Sequence, residues 1–346
     1  MTWPHRLCFR SALAFLGICT LLVVANAASR LPSHDGSPRD PNIRYVGRWD
    51  KSSHGDYHGY WTDCYLRTRF TGPTVGIRLD GGTQLIVSID GEKDRIINAG
   101  PGITALNSAP LNPGLHTLLV GSAGQNFEVG FEGLILAPDA HTVAPLPHSL
   151  IEFVGDSITT IYSDANYSWM TAAALGCDHT QISFSGVALT SGYGCLPDKT
   201  GLNLQYFRLK NFNHLTDAPP VPWDFTDYTP KIVVINLGQN DQCGSEPDLT
   251  MTASMGNFVR AIREKFPVAQ IVVLRPFGGP FARDESAAVQ ELRAGGDSRV
   301  YYVDTTGWLD PKTDFGDGVH PNPAGQVKAA HRLIPILRPL LTASAP

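Results

Sequence analysis

The sequence predicts an all-β sandwich followed by a three-layer α/β domain of the doubly wound type. Three observations carry this. Residues 43–137 read as short, partly alternating strands broken by turn signals, and residues 150–342 as near-continuous apolar runs alternating with helix-like segments. Between them, residues 138–149 are rich in proline and lack a period, so they read as a linker.

At the amino terminus, Arg6 and Arg10 precede an apolar run from Ala12 to Val24, and Ala25-Asn26-Ala27 follows with small residues. Residues 1–27 therefore read as a secretory signal cleaved near Ala27, which makes the mature protein extracellular. The run is shorter than the roughly 20 residues of a spanning helix. No later segment is apolar enough to span a bilayer.

The sandwich strands are "YLRTRF", "TVGIRL", "QLIVSIDG", "HTLLVG" and "FEVGFEGLIL", separated by turns such as Asp80-Gly81, Asp90-Gly91 and Asn112-Pro113-Gly114. In "HGDYHGYW", His54, Asp56 and His58 share a face if extended, but histidines in a polar strand are more often solvated than metal-bound, and no metal site is expected. In the second domain the runs "SLIEFVG", "TQISFSG", "KIVVINLG", "AQIVVLRP" and "RVYYVD" are interleaved with helical segments such as "MTASMGNFVRAIREKF", "RDESAAVQELRAGG" and "PAGQVKAAHRLIPILRPLL". Apolar strands alternating with helices indicate a parallel sheet covered on both faces.

A formal net charge of -5 leaves no basic footprint, so neither nucleic acid nor an anionic membrane surface is an expected partner, and a neutral substrate fits better. There is no phosphate-binding loop or dinucleotide fingerprint, so no cofactor is expected. Cys8 and Cys19 fall in the signal, leaving Cys64, Cys177, Cys195 and Cys243. Four cysteines in an oxidising compartment allow three connectivities. Cys195 and Cys243 each follow a predicted sheet strand at the same edge of the fold and are the favoured pair. Without a Cys-x-x-Cys, structural zinc is not expected. The sequon Asn166-Tyr167-Ser168 allows a glycan in a secreted protein, while its closeness to Ser157 makes a structural role competitive.

The strand ends carry the chemistry. In "IEFVGDSITT" a buried strand stops at Gly155-Asp156-Ser157, which is either ordinary turn chemistry or a nucleophile displayed where open α/β sheets place their ligands. A serine nucleophile needs a base, an orienter and oxyanion donors. The second strand ends at "SFSGVAL" with Gly186, the third at "NLGQND" with Asn240, and the loop after the fifth, "DFGDGVHPNPAG", holds Asp317 and His320. Parallel strands bring these tips to one rim. His320 is the candidate base, set in a turn where Asn322 caps the last helix and Pro323 opens it. Asp317 would fix its tautomer, and the Ser157 and Gly186 N–H groups with the Asn240 amide would form the oxyanion hole. Trp223 is a candidate for stacking on a sugar ring or, equally, for packing.

Gly-Asp-Ser, the later glycine, Gly-x-Asn-Asp and Asp-x-x-His-Pro, in that order, resemble the four blocks of the SGNH hydrolases, also called the GDSL esterase superfamily. The β domain, "IEFVGDSIT" and "VPWDFTDYTPKIVVINLGQND" look more narrowly like carbohydrate esterase family 2. That resemblance implies a jelly-roll domain ahead of an SGNH-hydrolase domain with a flavodoxin-like sheet. It implies a serine esterase removing acetyl groups from plant polysaccharides of the xylan or mannan type through an acyl-enzyme, with an acetylated polysaccharide or oligosaccharide as partner; with the signal segment the enzyme is expected to be secreted, and a monomer is expected. A lipase with a longer acyl preference, or a carbohydrate-binding protein with a vestigial catalytic domain, are the alternatives. Two departures stand out: Gln239 replaces a common Thr, and "TTIYSDANYSW" lacks the usual Gly-Tyr-Gly run. Some members of the family dispense with the acid, so Asp317 is the more expendable triad member.

Overall fold

The partial alternation of the amino-terminal region resolves into two antiparallel sheets in the structure, a computed structural model that describes residues 34–244 and 248–342. The signal expected at residues 1–27 lies outside the described residues. One sheet runs Arg44–Val46, Tyr65–Thr71, Leu115–Ser122, Thr83–Ile89, Arg95–Ala99, with Thr142–Val143 also paired to Tyr65–Thr71. The other runs Trp49–Asp50, Tyr57–Gly59, Val129–Leu136, Val75–Leu79, Gly102–Ala105. Leu85, Val87, Leu118 and Val120 of the first sheet share a buried cluster with Ile77 and Phe131 of the second.

Ile86 points the other way and is buried with Val46, Tyr65, Leu150 and Trp169. The first sheet is thus covered on both faces, by its partner sheet and by the α/β domain, which is why its strands alternate only in part. The segment expected as a linker is more than that: Thr142 and Val143 pair with Phe70 and Arg69. Proline-flanked residues are tolerated there because an edge strand need not donate on its open side.

The α/β domain carries a parallel sheet ordered Asp178–Ser183, Leu150–Gly155, Ile232–Asn236, Gln270–Leu274, Val300–Val303. Its register sets Gly155 beside both Ser183 and Asn236, so three strand ends finish level. The expected helices are Asp248–Lys265, Ala282–Ala294 and Pro323–Thr342, and a further helix, Tyr167–Leu175, packs against the last of them. Asn166 caps that further helix: its Oδ1 accepts from the Trp169 N–H at 2.8 Å, and its buried Nδ2 donates to Gln181 Oε1 at 3.2 Å. The sequon therefore serves as a helix cap, with the nitrogen a glycan would need already engaged. Among the described residues no helix is long and apolar enough to cross a membrane.

Buried charge joins the sandwich to the parallel sheet. The Arg48 guanidinium donates to the Tyr206 and Arg208 carbonyls and lies over the rings of Trp61, Tyr206 and Trp223. Glu152 of the first parallel strand accepts from the hydroxyls of Tyr206 and Tyr228. Nearby, Asp178 takes Arg44 at 2.9 Å and Arg67 at 2.5 Å.

Candidate active site

Ser157 opens a short helix, Ser157–Thr160, directly after the first parallel strand. Asp156 caps it, accepting from the Ile158 N–H at 2.9 Å. Gly155 is required where the chain turns, because a Cβ there would meet Thr159 Oγ1 at 2.1 Å. The hydroxyl is thereby aimed at the rim rather than into the sheet.

His320 reaches it from the far end of the chain. Its Nε2 lies 2.7 Å from Ser157 Oγ, and its Nδ1 lies 2.7 Å from Asp317 Oδ2. The other Asp317 oxygen accepts from the N–H groups of His320 at 2.8 Å and Val319 at 3.0 Å. These bonds, the backbone one from His320 foremost, hold the Asp317 carboxyl well below the usual carboxylate range. The turn ends as expected: Asn322 Oδ1 accepts from the Gly325 N–H at 3.0 Å, and Pro323 is the first residue of the last helix.

Ser157, Gly186 and Asn240 all line one cleft of about 930 Å³ with His320 and Asp317. Gly186 has φ +79, so the loop presents its main chain where an L side chain would be strained. Among the described residues the Ser157 and Gly186 N–H groups have no backbone acceptor. The Asn240 amide is engaged: Nδ2 donates to the Val187 carbonyl at 3.0 Å and to Asp156 Oδ2 at 3.2 Å. Burial pushes the Asp156 carboxyl up to about 7.

Trp223 is not in the cleft. It is buried against Tyr228 and the Arg48 guanidinium, so the packing role expected as its alternative is the one it takes. His54 is exposed, while His58 Nε2 sits between Asp56 at 3.0 Å and Asp80 at 2.8 Å, on the sandwich and remote in sequence from the cleft. Cys195 and Cys243 are disulfide-bonded, and Cys64 and Cys177 are free.

Several residues of the cleft were not legible beforehand. The sandwich sends residues 123–127 into its wall, where Gln125 Oε1 accepts from the Ser185 N–H at 2.7 Å and Phe127 is exposed. Tyr162, at φ +68, is held outward on the same wall. Behind the cleft, Gln326, fully buried on the last helix, accepts from the Tyr167 N–H at 2.8 Å and donates to the Ile158 carbonyl at 3.2 Å, tying the serine's helix and the helix Tyr167–Leu175 to the last one. Only the unusual "IYSDANY" after the serine hinted at a distinctive wall.

A serine hydroxyl, an imidazole and a carboxylate hydrogen-bonded in series at the carboxyl rim of a parallel sheet make the arrangement that serine-type acyl transfer uses on an α/β scaffold. Residues 153–328 match the GDSL-like lipase/acylhydrolase family, and the chain belongs to it; residues 45–147 match the carbohydrate esterase 2 N-terminal domain. Its curated relatives are named as esterases. It is 28% identical over 336 residues to cellulase/esterase CelE of Acetivibrio thermocellus, covering 88% of this chain and 40% of that protein, so it spans less than half of that relative's length. An acetylxylan esterase / glucomannan deacetylase of Cellvibrio japonicus is 23% identical over 342 residues, covering 87% of this chain and 89% of that protein. Among solved structures, a family two carbohydrate esterase from Clostridium thermocellum in complex with cellohexaose aligns with a TM-score of 0.74 at 25% identity, covering 86% of this chain and 99% of that one.

Proposed function

We propose that the protein is a secreted serine esterase that removes acetyl groups from plant cell-wall polysaccharides of the xylan or mannan type. The observation that carries the reading is the continuous relay from Ser157 Oγ through His320 to Asp317, with both links at 2.7 Å. His320 Nε2 takes the hydroxyl proton as Ser157 Oγ attacks the acetyl carbonyl, and Asp317 stabilises the imidazolium that results. The N–H groups of Ser157 and Gly186 receive the oxyanion, and Asn240 turns toward it the amide proton now on the longer bond to Asp156. His320 then gives that proton to the departing sugar oxygen, which leaves as a hydroxyl with acetyl on Ser157, and takes a proton from the water that releases acetate.

Support for a sugar substrate comes from the relatives, named for acetylxylan and glucomannan deacetylation and solved with cellohexaose, and from the openness of the cleft between two domains. The exposed Phe127 and Tyr162 on its wall are the specific observation behind a second reading, a longer acyl chain laid on apolar surface. Rates on aryl acetate and aryl octanoate separate the two. The acetyl reading expects acetate to be preferred by about tenfold or more in kcat/KM, since one methylene alone is worth 10-fold or more in discrimination. A preference for octanoate removes it in favour of the lipase reading.

A further inference from the structure

The oxyanion donors Gly186 and Asn240 stand on two loops, after the second and third parallel strands, and these loops are tied together covalently. Cys195 and Cys243 form the disulfide, 48 residues apart, and both line the cleft. Each cysteine is bonded through its own backbone to one of the proposed donors. The Cys195 N–H donates to the Gly186 carbonyl at 3.0 Å, and the Cys243 N–H donates to the Asn240 carbonyl at 3.0 Å. The residue that carries each donor is thus one hydrogen bond away from a cross-linked residue. Behind them Asp241, fully buried, accepts from the Leu189 and Thr190 N–H groups at 2.9 and 3.0 Å, and Asn240 Nδ2 donates to Val187. Non-covalent bonds hold the buried side of the two loops, and the disulfide holds the side that faces substrate.

We propose that the Cys195–Cys243 disulfide is a positioning element of the reaction, fixing the spacing of Gly186 and Asn240 so that both address one oxyanion. This rests on the oxyanion hole described under the proposed function. The physical reason is that an oxyanion exists only in the transition state and its intermediates. Donors displaced by a few tenths of an ångström therefore lose transition-state stabilisation without losing ground-state binding. A disulfide that served global stability alone would leave kcat of the folded enzyme unchanged.

The test is a double-mutant cycle on an aryl acetate, run well below the melting temperature of every variant. Replacing both cysteines by alanine should lower kcat by about tenfold with KM within about twofold, less than the 10²–10³ of removing a donor outright because the Asp241 bonds remain. Asn240→Ala alone should lower kcat by about 10²-fold. In the Asn240→Ala background, removing the cysteines should cost no more than about threefold, because one of the two donors whose spacing the disulfide fixes is already gone and only the Gly186 share of the loss remains. An undiminished kcat in the cysteine-free enzyme, or a full additional tenfold loss on top of Asn240→Ala, overturns the proposal while leaving the esterase reading intact. An Asn240→Ala enzyme of full activity overturns the oxyanion assignment itself, and the present inference with it. If the cysteine-free protein fails to fold, the wild type is treated with dithiothreitol, whose two electrons and two protons open the disulfide as it cyclises. A reversible fall in kcat at constant KM then supports the proposal, and unchanged kcat after verified reduction overturns it.

Discussion

At Asp317 the two carboxylate oxygens do different things. One meets the imidazole, and the other holds the backbone N–H groups of Val319 and His320, so the residue fixes the turn as well as the ring. The carboxylate is largely exposed, with 58% of its side chain accessible, which lets water replace part of its role when it is removed. Asp317→Ala should therefore keep about 1–10% of kcat, whereas His320→Ala, which removes the base itself, should lose about 10³-fold or more with little change in KM. Steady-state kinetics on one aryl acetate compare them, and equal losses would mean that the acid is wrongly assigned. Ser157, Gly186 and Asn240 were candidates because each is a reactive or small residue at a predicted strand end, and Asp317 and His320 because they stand three apart in the loop after the fifth strand. The engagement of the Asn240 amide by Asp156 and Val187 was not, since a spacing says nothing about where a side-chain amide points.

Among the elements, the five parallel strands and three of the helices stood out because continuous apolar runs and a helical period are local signals. The helix Tyr167–Leu175 did not, because it buries Ser168 and Thr171 along with Trp169 and Ala172 and so has no polar face to mark it. Short strands such as Arg95–Ala99 and Gly102–Ala105, with few buried positions, were missed for want of alternation. Gln326 becomes meaningful only when that unmarked helix is in place, since it bridges the Tyr167 N–H and the Ile158 carbonyl. Gln326→Ala leaves both buried groups without their partner and should cost about 1–3 kcal/mol of unfolding free energy. Urea denaturation measures it, and a cost near zero would show that the two helices are aligned by packing alone.

Across the whole molecule, the sandwich is a structural part of the α/β domain's cleft rather than a tethered module. Asp63 of the sandwich illustrates the coupling: buried, it accepts from the Gly124 N–H at 2.8 Å, where the cleft-lining segment begins, and from Gln181 Nε2 of the second parallel strand at 2.9 Å. Burial pushes its carboxyl up to about 7. A carboxyl raised on folding binds its proton more tightly in the native state, so its contribution is complete below the unfolded value near 4 and is lost as pH rises toward 7, at about 1.4 kcal/mol per pH unit. Asp63→Asn should remove that slope, so stability measured by urea titration from pH 4 to 7 should fall less steeply than in the wild type. Parallel curves would contradict it. Arg48, Asp63, Glu152 and Asp178 could not be recognised as buried from the sequence, because the partners of Arg48 and Asp63 lie as far as 180 and 118 residues away along the chain.

In the proposed reaction an acetyl group passes through Ser157. Acetate released from acetylated xylan and acetylated glucomannan, quantified for the wild type and for Ser157→Ala, is the measurement that decides it. Release by the wild type from at least one of the two polymers is expected, with a fall of about 10⁴-fold or more in the variant, in line with the loss of a triad nucleophile. A Ser157→Ala enzyme that still releases acetate at the wild-type rate, or a wild type that releases none from either polymer, would contradict it.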